Sequence, residues 1–258
     1  MEGTLTIDAT RQVVALLCRT SDRYDAGMAG AAALAERLGA RVIGSPGDAR
    51  TAGHAEDLAG SRGCLLEAGG QVDDAMEAAK VPILLAGDCA ISAATLPVVV
   101  RHHPDAFVLW LDAHPDFNTP ETTTSDYLGG MGLSGACGLW ETGFGAGLDP
   151  ARVVMFGVRD IDGPEQVLLE TKGVGVVERP GALADLLDGR KVYVHLDCDV
   201  LDPEVVPSSY PTPGGLDLDQ LHRLLDLVAG AADVVGAEIT AANPDYGDEL
   251  AAVLAPLL

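Results

Sequence analysis

The chain has 258 residues, enough to bury a substantial core, and 48% of them are hydrophobic while 21% are charged. This balance is typical of a globular protein and excludes a disordered chain. The 39 acidic residues outnumber the 16 basic ones and give a net charge of −23, which argues against nucleic acid or an anionic membrane as a partner.

Short apolar runs alternate along the chain with longer stretches rich in alanine and leucine. The short runs predict strands at Val13–Cys18, Arg41–Ile43, Ile83–Ala86, Phe107–Leu111, Val153–Phe156, Gly175–Val177, Val192–Leu196 and Val234–Ile239. The longer stretches predict helices at 26–38, 68–79, 91–101, 164–172, 180–188, 217–230 and 248–257. Several strands are apolar on both faces, as expected of parallel strands covered by helices on each side. We therefore predict an α/β fold in a single domain, residues 1–258, with a three-layer αβα sandwich around a mainly parallel central sheet.

Polar residues of one chemical kind follow three of these strands. The sequence GDC at 87–89, which ends in Cys89, follows the strand at 83–86, DAHPD at 112–116 follows the strand at 107–111, and DCD at 197–199 follows the strand at 192–196. Ligands in open parallel sheets bind beyond the carboxyl ends of the strands, so we expect these residues to meet in one site. The glycine-rich segment 129–147 predicts an active-site loop rather than a domain boundary.

The spacing of these acidic residues predicts a metal site. Side chains two residues apart on a strand point the same way, which pairs Asp112 with His114 and Asp197 with Asp199. These carboxylates, together with Asp116, would repel one another unless a cation lay among them. Hard oxygen donors with one imidazole favour Mn²⁺ or a similar ion, rather than a zinc ion held by soft ligands. The alternative is that the aspartates cap helices and stabilise turns, but two such motifs after apolar strands favour a metal.

The same segments resemble the motifs of the ureohydrolase family, which includes arginase, agmatinase and formiminoglutamase. The family's motifs read GGDHS, DAHxDxN and SxDxDxxDPxxxP, and this chain has AGDCA at 86–90, DAHPDFN at 112–118 and HLDCDVLDP at 195–203. The chain is most similar to arginase itself, through NTPETTTS at 118–125 and GVRDID at 157–162. The resemblance implies an αβα sandwich, two Mn²⁺ ions and hydrolysis of a guanidino-type C–N bond.

The resemblance also implies a role for each candidate metal ligand. Asp112 and Asp197 would bridge the two ions. His114 and Asp199 would complete one metal site, and Asp116 would belong to the other. Asp116 would also be catalytic, because it would orient the hydroxide that attacks the planar carbon of the substrate.

Three further residues match positions that hold the substrate in arginases. Residues corresponding to Asn118, Ser125 and Asp162 contact the α-carboxylate and α-amino groups there, some through water. Their presence favours an α-amino acid over agmatine as the substrate. Without the resemblance, Asp162 would more often be a turn residue than a ligand.

Three residues depart from the family's pattern. Cys89 stands where GGDHS has a histidine ligand, Gly129 stands where arginases have a proton-shuttling histidine, and Ala241 stands where a glutamate binds the guanidinium group. Thiolate is a poor match for Mn²⁺, so Cys89 either coordinates one ion or leaves that site weakly held. A branch of the family that hydrolyses Nω-hydroxy-L-arginine to ornithine and hydroxyurea also has a cysteine in this motif. An N-hydroxyguanidine is less basic than a guanidine and would depend less on a glutamate counter-ion.

These observations leave competing functions open. The first is a binuclear Mn²⁺ hydrolase of an arginine-like α-amino acid, with Nω-hydroxy-L-arginine as the candidate substrate. The second is a catalytically impaired or silent homologue with a ligand-binding or partner role, which the three departures favour. A third, more distant, is a zinc amide hydrolase on a related fold.

The cysteines and the N-terminus predict where the protein works. Five cysteines show no CxxC or paired spacing, which predicts reduced thiols: Cys18, Cys64, Cys89, Cys137 and Cys198. The N-terminus lacks the basic and apolar regions of an export signal, and no apolar run approaches the roughly 20 residues of a membrane span. We expect a cytoplasmic protein with a small-molecule substrate, no nucleic acid and no membrane. The family resemblance implies a homo-oligomer, a trimer or a hexamer.

Overall fold

One sheet with helices on both faces forms the centre of the computed structural model, which describes residues 7–258. Its strands are β1 (Arg11–Leu16), β2 (Arg41–Ile43), β3 (Val81–Leu85), β4 (Phe107–Leu111), β5 (Val153–Phe156), β6 (Gly175–Val176), β7 (Lys191–Asp197) and β8 (Asp233–Thr240). They lie in the order β2-β1-β3-β8-β7-β4-β5-β6, and every strand pairing within residues 7–258 is parallel. The prediction of no export signal concerns the first residues of the chain, and residues 1–6 lie outside the described part.

The helices form the two outer layers. They are α1 (Ala26–Leu38), α2 (His54–Gly60), α3 (Arg62–Glu77), α4 (Ser92–His102), α5 (Gly132–Ala136), α6 (Gly163–Lys172), α7 (Pro180–Leu187), α8 (Leu218–Ala231) and α9 (Gly247–Val253). Helices α1, α7, α8 and α9 pack on one face of the sheet, and α3, α4, α5 and α6 pack on the other. No helix among the described residues is long and apolar enough to cross a bilayer.

Helix α8 illustrates how the sequence specifies these layers. Asp217 caps the helix by accepting a hydrogen bond from the backbone of Gln220, whose side chain accepts one from the backbone of Asp217 in return. Buried leucines and valine then recur every three or four residues, at Leu221, Leu224, Leu225 and Val228. This spacing puts all four on one face of the helix, against the sheet. Burying each such side chain stabilises the fold by about 1.5–3 kcal/mol.

The predicted fold class is confirmed, and each predicted strand is present with its ends shifted by at most two residues. Two short helices, α2 and α5, were not predicted, and α3 begins at Arg62 rather than at residue 68. The prediction that segment 129–147 is a loop is wrong for its first part, which forms a 3₁₀ turn at Gly129–Met131 and then α5. A Cβ atom on Gly132 would lie 2.8 Å from the carbonyl oxygen of Cys89, so this glycine permits close packing of a helix rather than flexibility.

The prediction that all five cysteines are reduced thiols is wrong. Cys18, which follows β1, forms a disulfide with Cys64 in α3, and their Cα atoms are 5.8 Å apart. The two residues are separated by 46 positions, so no local spacing could indicate the pair. The packing of α3 beside the end of β1 brings them together. Cys89, Cys137 and Cys198 are free.

Candidate metal centre and active site

A cavity of about 340 Å³ lies at the carboxyl ends of the central strands β3, β8, β7 and β4. All the site residues that the sequence predicted line this cavity: Cys89, Asp112, His114, Asp116, Asn118, Ser125, Asp162, Asp197 and Asp199. Strand order explains the convergence, because segments far apart in sequence follow neighbouring parallel strands. The cavity is large enough for an amino acid with a guanidino side chain.

Adjacent strands hold the two central carboxylates. Asp112 comes directly after β4, and Asp197 is the last residue of β7, whose Leu196 pairs with Leu111. Both carboxylates are buried. Each also accepts a hydrogen bond from the backbone two residues later, Asp112 from the N–H of His114 and Asp197 from the N–H of Asp199. These short-range bonds fix the direction of both side chains.

Arg159 binds the backbone of three segments that lie next to the carboxylate cluster. Its guanidinium group donates to the carbonyl oxygens of Asp199, at 2.9 Å, and Thr212, at 2.8 Å. It also donates to the carbonyl of Gly157 at 2.9 Å. Gly157 has a φ of +93°, and a Cβ atom there would lie 2.5 Å from a methyl group of Val200, so only glycine fits this approach. Arg159 therefore positions the backbone that carries Asp199.

One group of three possible metal ligands consists of Asp112, His114 and Asp199. The Nδ1 atom of His114 lies 3.1 Å from Asp199 Oδ2 and 3.5 Å from Asp112 Oδ1. One ligand atom from each residue lies within 4.8 Å of the other two. Two carboxylate oxygens with one imidazole nitrogen form a donor set that suits a divalent cation.

A second group shares Asp112 and adds Cys89 and His195. Their ligand atoms also lie within 4.8 Å of one another, and all three side chains are buried. The Sγ atom of Cys89 donates to Asp197 Oδ2 at 2.9 Å and lies 3.1 Å from the hydroxyl of Thr240. Cys89 therefore faces the carboxylate cluster. His195 was not among the predicted site residues.

The electrostatics of this cluster indicate a cation site. Burial raises the pKa of Asp112 and of Asp116 well above the ordinary value, and the neighbouring carboxylates raise both further. Burial, followed by repulsion from Asp199, raises the pKa of Asp197 to about 8. Although burial disfavours the charge on Asp199, its hydrogen bond with His114 holds its pKa below the usual value. Three buried carboxyl groups that resist ionisation next to one another are well suited to a divalent cation, which would favour their charged forms.

Two further structural details support a cation site at the carboxylate cluster. The Oδ2 atom of Asp112 is buried and has no hydrogen-bond partner among the described residues, although most buried polar atoms have one. Asp116 has a φ of +48°, a left-handed conformation that is rare for residues other than glycine. Such backbone strain is often found at functional sites. The residues present therefore fit a metal centre.

The predicted substrate-binding residues Asn118, Ser125 and Asp162 also line the cavity. The side-chain amide of Asn118 donates to Asp162 Oδ2 at 3.1 Å. Asp162 is also the N-cap of α6, because its other oxygen accepts from the backbone N–H of Glu165 at 3.0 Å. Ser125 is exposed, and its hydroxyl accepts from the N–H of Tyr127 at 3.3 Å. Asp162 therefore caps α6 and also lines the cavity.

Comparison with known proteins decides the family. Residues 45–257 match the sequence pattern of the Arginase family. The chain belongs to the arginase family. It is therefore a hydrolase acting on C–N bonds other than peptide bonds, with a small molecule as its substrate.

Individual relatives agree with this placement of the arginase-family chain. It is 39% identical over 249 residues to the N(omega)-hydroxy-L-arginine amidinohydrolase of Streptomyces lavendulae, covering 90% of this chain and 89% of that protein. It is 31% identical over 211 residues to the arginase of Bacillus caldovelox, covering 72% of this chain and 70% of the relative. Among solved structures, the arginase of Bacillus cereus superimposes with a TM-score of 0.81 at 25% identity, covering 96% of this chain and 97% of that one.

Sequence reasoning missed two titratable residues of the cavity wall, Glu165 and Asp22. Glu165 is buried, accepts from the backbone N–H of Phe117 at 2.8 Å, and has its pKa raised by burial to about 7. Burial, followed by repulsion from Asp88, raises the pKa of Asp22 to about 8. Glu165 could have been found because it lies three residues after Asp162, the spacing of an N-cap and the third residue of a helix. No pattern in the sequence marks Asp22, which lies six residues after the end of β1.

The position that holds a shuttle histidine in arginases is filled differently in this chain. A Cβ atom on Gly129 would lie 2.5 Å from Cε1 of Tyr127, so the tyrosine ring takes the space of a side chain at residue 129. The hydroxyl of Tyr127 donates to Asp88 Oδ2 at 2.6 Å, which holds the ring in place. Ala241, the third departure, lines the cavity with a φ of +54°. This part of the cavity is therefore formed by Gly129, Ala241 and the ring of Tyr127.

We expect Gly129→Ala to destabilise the protein by about 1–3 kcal/mol, because the new methyl group overlaps the Tyr127 ring. The control is Gly130→Ala, since a Cβ atom there meets nothing closer than an Asp116 oxygen at 3.9 Å. Denaturant unfolding of both variants measures the difference. Equal stability of the two variants would show that Tyr127 is free to move away from residue 129.

Proposed function

We propose that this chain hydrolyses Nω-hydroxy-L-arginine to ornithine and hydroxyurea at a binuclear Mn²⁺ centre. The observation that carries the reaction chemistry is the buried carboxylate cluster, in which two groups of possible metal ligands share Asp112. The similarity to an N(omega)-hydroxy-L-arginine amidinohydrolase over 90% of the chain supports the choice of substrate.

In this proposal Asp112 and Asp197 would contribute to both metal sites. His114 and Asp199 would complete one site, while Cys89 and Asp116 would serve the other. When bound, the two cations lower the pKa of water and polarise the carbon under attack. The location of all six residues around one cavity at the strand ends supports this assignment.

Asp116 is the proposed catalytic base. Its carboxylate takes a proton as water adds to the guanidine carbon. The proton then passes to the ornithine Nδ atom as the C–Nδ bond breaks, so that the amine leaves in neutral form.

The departures from arginase fit an N-hydroxyguanidine. Because an N-hydroxyguanidine is less basic than a guanidine, it depends less on a carboxylate counter-ion, and this chain has Ala241 where arginases have that glutamate. The hydroxyl group of the N-hydroxyguanidine offers a further donor and acceptor in a cavity where Tyr127 occupies the space above Gly129. A site built around that hydroxyl would leave polar groups unpaired when unmodified arginine binds, which discriminates against arginine.

The α-amino and α-carboxylate groups of the substrate are proposed to contact Asn118, Ser125 and Asp162. We expect Asp162→Ser to raise KM at least tenfold, roughly the effect of losing one charged hydrogen bond, with a smaller change in kcat. Serine also caps helices, so α6 keeps its N-cap and the stability of the protein changes little. Steady-state kinetics and thermal unfolding test both parts. An unchanged KM would leave Asp162 with only its capping role.

Purified protein supplied with Mn²⁺ and assayed on three substrates tests the proposal. We expect about two Mn per chain, formation of hydroxyurea and ornithine, and a kcat/KM for Nω-hydroxy-L-arginine about a hundredfold or more above that for L-arginine, with agmatine lower still. Two bound ions without turnover of any substrate would instead favour a silent homologue with a binding role. Failure to bind metal would exclude the proposed chemistry.

The assembly and the location are also proposals. The family resemblance favours a trimer or hexamer, and light scattering on the purified chain measures its mass directly. The cytoplasm is the proposed location, although the Cys18–Cys64 disulfide argues against a reducing compartment. Alkylation of free thiols in fresh cell extract, followed by mass spectrometry, decides between three and five reduced cysteines.

A further inference from the structure

A buried histidine lies directly beneath the floor of the carboxylate cluster. His195 in β7 pairs with Trp110 in β4, and each lies two positions before a proposed bridging ligand, Asp197 and Asp112 respectively. The imidazole ring is fully buried and stacks on the indole ring, with centroids 3.5 Å apart and an angle of 6° between the planes. Trp110 therefore fixes the plane of the imidazole, and the side chain points toward Asp112.

One edge of this imidazole is held by a carboxylate. Its Nδ1 atom lies 2.7 Å from Glu238 Oε1, in the next strand, β8. Glu238 also accepts hydrogen bonds from Thr95, at 2.5 Å, and from Tyr193, at 3.3 Å, as well as from Ser92. A carboxylate only accepts hydrogen bonds, so Nδ1 carries a proton. In the neutral ring, the lone pair is then on Nε2.

The other edge of the imidazole has no partner. Nε2 of His195 is buried without a hydrogen bond among the described residues, and so is Oδ2 of Asp112, which lies 3.8 Å away. This separation is too long for a hydrogen bond between them, since N–H···O bonds span about 2.7–3.2 Å. Leaving a buried polar atom unsatisfied is unfavourable, so two such atoms facing each other call for a shared partner.

A divalent cation is the partner that fits both atoms. Cys89 Sγ lies within 4.8 Å of the ligand atoms of Asp112 and His195, so sulfur, oxygen and nitrogen donors surround one point. We propose that His195 Nε2 is a direct ligand of the ion that Cys89 and Asp112 hold. This inference rests on the proposed metal chemistry and adds a ligand to it.

The assignment explains how the site works with a cysteine in place of a histidine. The family's motifs have histidine at the position of Cys89 and serine at the position of His195. This chain keeps one imidazole in the pair but carries it on the strand instead of on the loop. The borderline nitrogen donor offsets the poor match of thiolate to Mn²⁺. Glu238 then acts as the carboxylate that orients a metal-bound histidine, a common arrangement in metal sites.

Cobalt titration of the metal-free protein under reducing conditions tests the inference. Co²⁺ bound to thiolate gives a charge-transfer band in the near ultraviolet, which reports on the Cys89 site, and calorimetry gives the affinity of each ion. We expect His195→Gln to weaken the ion that produces this band by about ten- to a hundredfold and to leave the second ion unchanged. The matched control is His102→Gln, in α4, whose histidine contacts Asp73 away from the cavity.

A swapped pair distinguishes a ligand role from loss of packing. His195→Ser should weaken the same ion, and Cys89→His combined with His195→Ser should recover its affinity, because the imidazole returns to the pair from the loop. X-ray absorption gives an independent measurement. With both sites filled by Co²⁺, imidazole scattering per ion should be lower in His195→Gln than in the wild type, while the sulfur scattering of Cys89 persists.

The outcomes separate the inference from the proposed function. Two bound ions in wild type with unchanged affinities in His195→Gln would overturn the ligand role of His195 and leave the hydrolase proposal intact. Equal imidazole scattering per ion in the wild type and in His195→Gln would do the same. A wild-type protein that binds no ion would refute both proposals.

Discussion

Asp112→Asn is expected to lower the affinity for both metal ions and to reduce kcat/KM by at least a hundredfold. Loss of a residue that only orients a metal ligand typically costs about ten- to a hundredfold, and loss of a ligand should cost more. Asp112 is shared by the two groups of possible ligands, so its loss removes a donor from each. An amide oxygen cannot supply the charge that offsets a divalent cation. The fold should persist, because asparagine has nearly the same shape and cannot take a charge that would repel the neighbouring carboxylates.

The matched control is Asp226→Asn, the same chemical change on the exposed face of α8. Elemental analysis, calorimetry with Mn²⁺ and steady-state kinetics give the three readouts, and circular dichroism checks the fold. Retention of two ions and of wild-type kcat/KM in Asp112→Asn would show that the centre lies elsewhere.

The metal-free protein is expected to lose stability as the pH rises between about 4 and 8. The pKa of Asp197 is raised from 3.8 to about 8 in the folded protein, so within this range the folded chain keeps a proton that the unfolded chain releases. The unfolded state then binds fewer protons, and the free energy of unfolding falls with rising pH. Glu165, whose pKa is raised to about 7, acts in the same direction. Asp199 does not oppose this trend, because its lowered pKa affects stability only below the usual carboxylate range.

Mn²⁺ should reverse this loss, and more strongly at pH 8 than at pH 6, because binding displaces the protons held by the carboxyl groups. An ion at about a thousand times its Kd stabilises the folded state by about 4 kcal/mol. In a chain of this size that raises Tm by about 10 °C. Thermal unfolding across the pH range, with chelator or with Mn²⁺, measures both effects. A metal-free Tm that rises from pH 5 to pH 8 would contradict the raised pKa of Asp197.

The fold class and the location of the site could be predicted from sequence because both depend on local patterns. Apolar runs of four to six residues, each with a polar residue at its end, indicate parallel strands and a site beyond their carboxyl ends. Asp112 and Asp197 could be predicted to meet because each directly follows, or ends, a strand that is buried on both faces. The Asp-Ala-His and Asp-Cys-Asp spacings predicted a metal site. The roles of individual residues remain proposals.

Other features depend on which distant segments pack together, and no local pattern records that. The Cys18–Cys64 disulfide requires α3 to lie beside the end of β1. The overlap of the Tyr127 ring with the space above Gly129 follows from the turn between them and from the hydrogen bond to Asp88. The sequence alone showed that a histidine was missing at residue 129 but not what had taken its place.

His195 shows the same division most clearly. In sequence it is one more residue inside an apolar strand, where a histidine is usually a satisfied core residue. Only the pairing of β4, β7 and β8 places Trp110, His195 and Glu238 side by side and directs Nε2 at Asp112. Strand periodicity determines the face on which a side chain lies, whereas strand order determines its neighbours. The sequence by itself determined the first, and the tertiary structure decided the second.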